Sequence, residues 1–247
     1  MLENAEGFIS HLVELRGRLM RALLAVLALF LCLLPWASNI YDLLARPMLK
    51  ALPPGTRMIA TGVITPFMVP IKVTLLVALV AALPVVLYQA WAFVAPGLYR
   101  HEKRFALPLV IGSTLLFILG MAFCYFFVFG TVFSFIAKFA PNSIMPAPDI
   151  EQYFSFVMTM FLAFGTTFEV PVVVLLLVRF GVVSLDKLKE MRPYAIVGAF
   201  IIAAVVTPPD VTSQVLLAVP MCLLYEFGLL LARFAVKPAE PKPEQDA

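Results

Sequence analysis

The chain has 247 residues, of which 62% are hydrophobic and 13% charged, with a formal net charge of +3. A soluble domain is about half apolar and about a quarter charged, so disorder, a secreted disulfide scaffold and a cytosolic enzyme are excluded. The apolar runs are continuous rather than alternating, which excludes a strand barrel and leaves a polytopic α-helical membrane protein.

In chain order, the first stretch carries Glu3, Glu6 and Glu14. It shows no small-residue cleavage pattern and no Arg/Ser-rich transit composition, so no cleavable signal sequence is expected and a bacterial or archaeal inner membrane is favoured. Phe8, Leu12, Leu15 and Leu19 recur at helical spacing. Residues 1–18 are therefore expected to be a cytoplasmic interfacial helix leading into the first span. A span needs about 20 apolar residues. Six candidates follow, at 19–36, 66–93, 105–135, 153–178, 193–206 and 212–234.

One set of flanks holds Arg16, Arg18, Arg21, Arg100, Lys103, Arg104, Arg179, Lys187, Lys189, Arg192, Arg233, Lys237 and Lys242, whereas the other holds only Arg46, Lys50, Arg57 and Lys138. The positive-inside rule makes the first set cytoplasmic and puts both termini inside. The fifth segment spans only about 20 Å at 1.5 Å per residue, against a hydrocarbon core of about 30 Å. Unequal spans predict a concave, cup-like bundle with short fifth and sixth spans. The expected organisation is one six-helix domain over 1–236, with cytoplasmic loops at 93–104 and 181–192. The polar, proline-rich end at 237–247 is expected to be a disordered tail. Pro70, Pro84, Pro108, Pro171 and Pro220 fall inside or near the ends of spans, where each removes a backbone hydrogen bond and kinks its helix.

No phosphate-cradling glycine loop, HExxH pattern or nucleophile–base pair is present in the sequence. Cys32, Cys124 and Cys222 lie in apolar runs without metal-ligand spacing, and no metal, cofactor or nucleic-acid partner is expected. Four segments carry polar chemistry. In Phe8–Leu19, Glu14 and Arg18 stand four apart in the order that favours a helix-surface ion pair. In the loop from Phe93 to Arg104, Glu102 is the only acid among Arg100, Lys103 and Arg104. Glu14 and Glu102 can both face the cytoplasmic mouth and accept two guanidinium groups. In Phe164–Pro171, Glu169 lies inside a span, where a carboxylate must face the bundle interior or a groove, or be neutral. Pro171 frees the carbonyl of Thr167 beside it. In Thr207–Gln214, Asp210 or Thr212 is placed to cap the sixth span, and Gln214 opens that span as a buried polar side chain. Lys72 snorkels, and Glu226 in the last span is expected to be tethered to another helix.

Taken in order, HLVELRGRL, PGLYRHEKR, FGTTFEVP and TPPDVTSQ resemble the TatC family, the multispanning core of the twin-arginine protein translocase, over essentially the whole chain. The resemblance implies a non-enzymatic receptor in the bacterial cytoplasmic membrane that binds twin-arginine signal peptides. It implies transport of folded proteins by the proton motive force, with single-span TatA- and TatB-type partners, and a homo-oligomer within the complex. It implies that Glu14, Glu102 and Phe93, with Arg16 and Arg18, form the signal-peptide site. Glu169, Thr167 and Gln214 would make intramembrane polar contacts with a partner, and Pro47 and Asp210 would act at the outer face. The residues alone also admit a proton- or ion-coupled small-molecule transporter built on Glu169.

Overall fold

The computed structural model describes residues 2–52, 56–94, 103–139, 147–207 and 211–235. These residues form α1 (Leu2–Leu33), α2 (Ala37–Ala51), α3 (Thr65–Ala81), α4 (Leu83–Val94), α5 (Lys103–Phe123) and α6 (Phe129–Phe139). They continue as α7 (Ile150–Phe168), α8 (Val170–Arg179), α9 (Leu185–Glu190), α10 (Arg192–Val206) and α11 (Val211–Ala235). Among the described residues the only extended pairing is an isolated parallel bridge between Ile59 and Asp149. The molecule is thus all-helical, as its continuous apolar runs require in a medium where backbone groups must be satisfied internally.

Four helical elements are long and apolar enough to cross a membrane: Leu12–Lys50, Leu107–Ile136, Ile150–Arg179 and Val211–Phe234. Thr65–Ala81 and Leu83–Phe93 make a fifth if counted together, bent by 59°. The bend falls where Pro84 cannot donate to the carbonyl four residues back. There, the amides of Val85 and Val86 both turn to the Ala82 carbonyl, at 2.9 and 3.0 Å. The fifth segment of the sequence is indeed short, because α10 has 15 residues. The sixth is not: α11 runs for 25 residues, so the expectation of a short sixth span fails. Pro220 lies inside α11 without ending it, and the helix reaches about 37 Å at 1.5 Å per residue.

Near its N-terminal end the chain is less segmented than expected. Helix α1 runs unbroken from Leu2 through the apolar stretch to Leu33. A single 3-10 turn, Leu34–Trp36, then joins it to α2. Pro35 opens that turn.

The chain folds as two compact units, Met1–Gly165 and Thr166–Ala247. In the first, α1 packs on α3 and α4, α2 on α3 and α6, and α4 on α5. Its core is aromatic: Phe129 stacks on Phe133 at 5.5 Å and lies 5.2 Å from Phe161, while Tyr153 meets Phe154 edge-on at 4.9 Å. Between α5 and α6 the helix widens into a π turn, Cys124–Val128.

In the second unit, α8 and α11 make the main contact. Gly228 permits it, because a Cβ there would stand 2.9 Å from the Pro171 Cα and 3.0 Å from the Val174 Cβ. Close approach at a small residue is how helices pack where lipid removes the hydrophobic drive. Val174, Val178, Leu188, Leu229 and Ala232 form the core of this unit. Helix α8 ends at Gly181, whose φ of +66° lets its amide and that of Val182 turn back to the carbonyls of Val178 and Leu177. Only glycine adopts that left-handed cap without strain. Ser184 then opens α9 by accepting the Lys187 amide at 3.3 Å.

Candidate functional site

Near the middle of α1, Glu14 and Arg18 stand one turn apart on the same face, with Arg16 between them in sequence and pointing away. Arg18 reaches back one turn and donates both Nε (2.9 Å) and Nη2 (2.6 Å) to the same carboxylate oxygen, Oε1 of Glu14. The expected pair is therefore formed. It is more than a surface contact, since the Arg18 side chain is only 19% exposed and that of Glu14 is 40% exposed. Arg16, two residues from each, is exposed. Arg21 does not join the pair; its Nε donates to the Gly17 carbonyl at 3.1 Å. Phe93 sits half-buried in the last turn of α4. Glu102 and Asp210 lie outside the described residues.

Glu169 stands at the junction of α7 and α8 and is 8% exposed, beside Thr167 at 4%. The break there is the one Pro171 dictates, since the ring removes the amide that would bond to Thr167. The chain tightens instead: the Glu169 amide donates to Thr166 at 3.1 Å, and the amides of Val172 and Val173 converge on the Glu169 carbonyl, each at 3.0 Å. Burial of a carboxyl within a span is costly enough to mark this position.

Gln214 is half-buried rather than fully buried, and its Nε2 donates to the Phe200 carbonyl of α10 at 3.3 Å. The fully buried polar side chains near it are Ser213 and Thr207, the latter donating to Ala203 at 2.8 Å. Glu226 is tethered as expected: it accepts Arg192 Nη2 at 2.7 Å, from the first residue of α10.

Pro47 lies inside α2. Its missing N–H releases the carbonyl of Leu43, four residues earlier. The structure supplies a substitute donor, the Tyr125 hydroxyl, at 3.1 Å. The Tyr153 hydroxyl donates to the neighbouring Leu44 carbonyl at 2.8 Å. Pro47 thus marks a point where α2 is fastened to the π turn and to α7.

A polar network joins the two segments flanking α3 and α7, and sequence reasoning missed it. Asp149 accepts the Thr61 amide at 3.1 Å and its hydroxyl at 2.7 Å, and caps α7 through the amides of Glu151 (2.9 Å) and Gln152 (3.0 Å). These bonds, led by that from the Thr61 hydroxyl, hold the Asp149 carboxyl below its ordinary value. Lys72 does not simply extend toward water, because its Nζ pairs with Glu151 at 2.9 Å. Asp149 directly ahead of an apolar helix was a readable cap signal; its partner 88 residues away was not. On α4, Trp91 Nε1 donates to the buried Ser113 of α5 at 3.1 Å, and Gln89 Oε1 is buried without a hydrogen bond among the described residues.

Among the described residues no three His, Cys, Asp or Glu side chains are grouped to hold a metal ion. A largely apolar cavity of about 370 Å³ lies between α2, α3, the π turn and α7, lined by Leu43, Leu76, Val80, Met121, Tyr125 and Phe161 among others. Tyr125 brings a hydroxyl to this lining, and it donates to the Leu43 carbonyl.

Long apolar helices, a proline whose freed carbonyl finds a side-chain donor, and acids paired on one helix and buried at the break of another define a multi-pass membrane protein. They do not define an enzyme active site. The family described as Sec-independent protein translocase protein (TatC) matches residues 10–220, and the chain belongs to that family. It is 50% identical over 235 residues to the TatC of Escherichia coli (strain K12), covering 95% of this chain and 91% of the relative. It is 48% identical to that of Haemophilus influenzae, covering 100% and 94%. A crystal structure of the twin-arginine translocase receptor TatC superposes with a TM-score of 0.80 at 39% identity, covering 91% of this chain and 99% of that one. The chain is accordingly a multi-pass membrane component of the Tat protein-transport system, a family of translocase components rather than of enzymes.

Proposed function

We propose that this chain is the signal-peptide receptor of a twin-arginine translocase in the bacterial cytoplasmic membrane. In this reading it has six spans, a cup-like shape and both termini inside. The bent pair α3–α4 supplies one span and short α10 another, and the bias of Lys and Arg sets the orientation. Glu14 and Glu102 dock the two arginines of the signal, Phe93 lies beside them, and Arg16 and Arg18 tune the site.

The observation that carries this reading is the carboxylate of Glu14, fixed on α1 and holding a guanidinium through two bonds. A planar guanidinium offers several donors in a rigid fork, whereas an ammonium is a point charge. Charge-assisted bonds contribute roughly 1.5–3 kcal/mol each. Losing one acid should therefore weaken tag binding about ten- to a hundredfold. The test is photocrosslinking from Phe93 to a signal peptide carrying Arg-Arg or Lys-Lys. Crosslinking that favours Arg-Arg, and is lost in Glu14→Ala and Glu102→Ala, supports the assignment. Equal crosslinking of both peptides in all three proteins overturns it.

The buried acid Glu169, with Thr167 and Gln214, meets the single span of a TatA- or TatB-type partner. Pro47 and Asp210 serve the outer face. Transport of folded cargo by the proton motive force then belongs to the assembled complex, which contains several copies of this chain. Glu169→Gln keeps a hydrogen-bonding group and should retain transport, while Glu169→Ala should lose it. Equal transport by the two variants removes this role.

A further inference from the structure

Arg18 occupies the acid that the signal is proposed to use. Both of its bonds converge on one oxygen of Glu14, and four-fifths of its side chain is covered. One carboxylate carries a single negative charge. A second guanidinium arriving at Glu14 would sit beside the first, and two like charges on one acid repel.

We infer that Arg18 is an internal stand-in for a signal arginine, and that the signal binds by exchanging with it at Glu14. This deepens the receptor reading and rests on it. The site is competent only while Glu14 is released from Arg18. The apparent affinity of any tag is then its intrinsic affinity reduced by that competent fraction. The reduction is the same for an Arg-Arg and a Lys-Lys tag, since each must displace the same group. Arg18 therefore sets the threshold of recognition, while the fork geometry of the tag sets the preference. A weak lysine tag falls below the threshold, and an arginine pair clears it.

This predicts an effect of unusual sign. A residue that positions the site weakens binding when removed; a stand-in strengthens it. The full-length protein, purified in detergent, is titrated with fluorescent signal peptides bearing Arg-Arg or Lys-Lys. In Arg18→Gln both should bind about three- to tenfold tighter, with the ratio between them preserved. That range lies between a helix-surface i,i+4 pair, about twofold at most, and one charge-assisted bond, about tenfold or more. Arg18→Lys, which keeps the charge but loses the planar fork, should shift less.

Two further variants separate this exchange from a general loss of positive charge. Arg21→Gln removes one charge from the same helix but touches the Gly17 carbonyl instead of Glu14, so its gain should be clearly smaller. In a Glu14→Gln background, Arg18→Gln should add nothing. Unchanged or weaker binding in Arg18→Gln, or an equal gain in Arg21→Gln, overturns the inference. The parent reading fails on a different result, wild-type affinity in Glu14→Gln alone.

Discussion

Helical elements Leu12–Lys50 and Ile150–Arg179 are alike in apolar character and different in everything around them. None of the most apolar stretch of Leu12–Lys50 is buried within the protein, against 56% of that of Ile150–Arg179. Each carries two acids, Glu14 and Asp42 on one and Glu151 and Glu169 on the other, and Glu14 and Glu169 make the contrast. On α1 the acid is partly exposed and paired to an arginine of its own helix. At the α7–α8 junction it is buried beside a proline-induced break. An exposed helix keeps its charge at the edge and satisfies it locally. A buried helix is shaped by its neighbours, and its polar groups sit where the backbone is interrupted.

That contrast can be broken by mutation. The largest effect should come from Phe164→Ala, which empties a fully buried position of α7. Phe→Ala costs about 3–5 kcal/mol in water-solvated cores. The lower end is expected here, because lipid tails are as apolar as the interior and packing alone is lost. Denaturant or thermal unfolding in detergent measures it, and a shift no larger than that of a lipid-facing variant would erase the distinction.

Next is Gly228→Ala. It should cost about 1–3 kcal/mol by overpacking, since the new methyl meets the Pro171 backbone at 2.9 Å.

A smaller effect is expected at Asp149, where α7 begins. Its folded carboxyl is held below the ordinary value by Thr61 and the amides of α7. The stability it contributes is complete above the unfolded value, about 3.9, and is lost as pH falls through the lower folded value. The unfolding midpoint of the native chain should therefore drop more steeply below about pH 4 than that of Asp149→Ala. Parallel pH profiles would show that the network does not hold the segments together.

Least of all should happen with Leu27→Ala on exposed α1, within about 0.5 kcal/mol of the native chain. A large loss there would mean that α1 is covered in the assembled protein, and would sharpen the comparison by revealing an interface.

Much of this is legible in the amino-acid sequence. The pair Glu14–Arg18 follows from i,i+4 spacing alone, the break at Glu169 from Pro171, and the short α10 from counting residues. The sixth segment, expected to be short, is not: the candidate range 212–234 already runs through Pro220, and so does α11. The acid at 169 was recognised by its depth in an apolar run, whereas the Gln214 environment was overstated. Its amide is half-buried and bonded to the carbonyl of a neighbouring helix, a contact that no spacing within α11 encodes.

Composition and hydropathy decided that this chain lives in a membrane as helices, because transfer of apolar side chains and backbone satisfaction are properties of each segment by itself. Only the folded molecule decided that Tyr125 restores the bond Pro47 removes, that Thr61 is fastened to Asp149, and that Gly228 lets two helices touch. Those contacts join positions tens of residues apart. They exist because particular helix faces meet, and the identity of a face's neighbour is not written in the periodicity of the face.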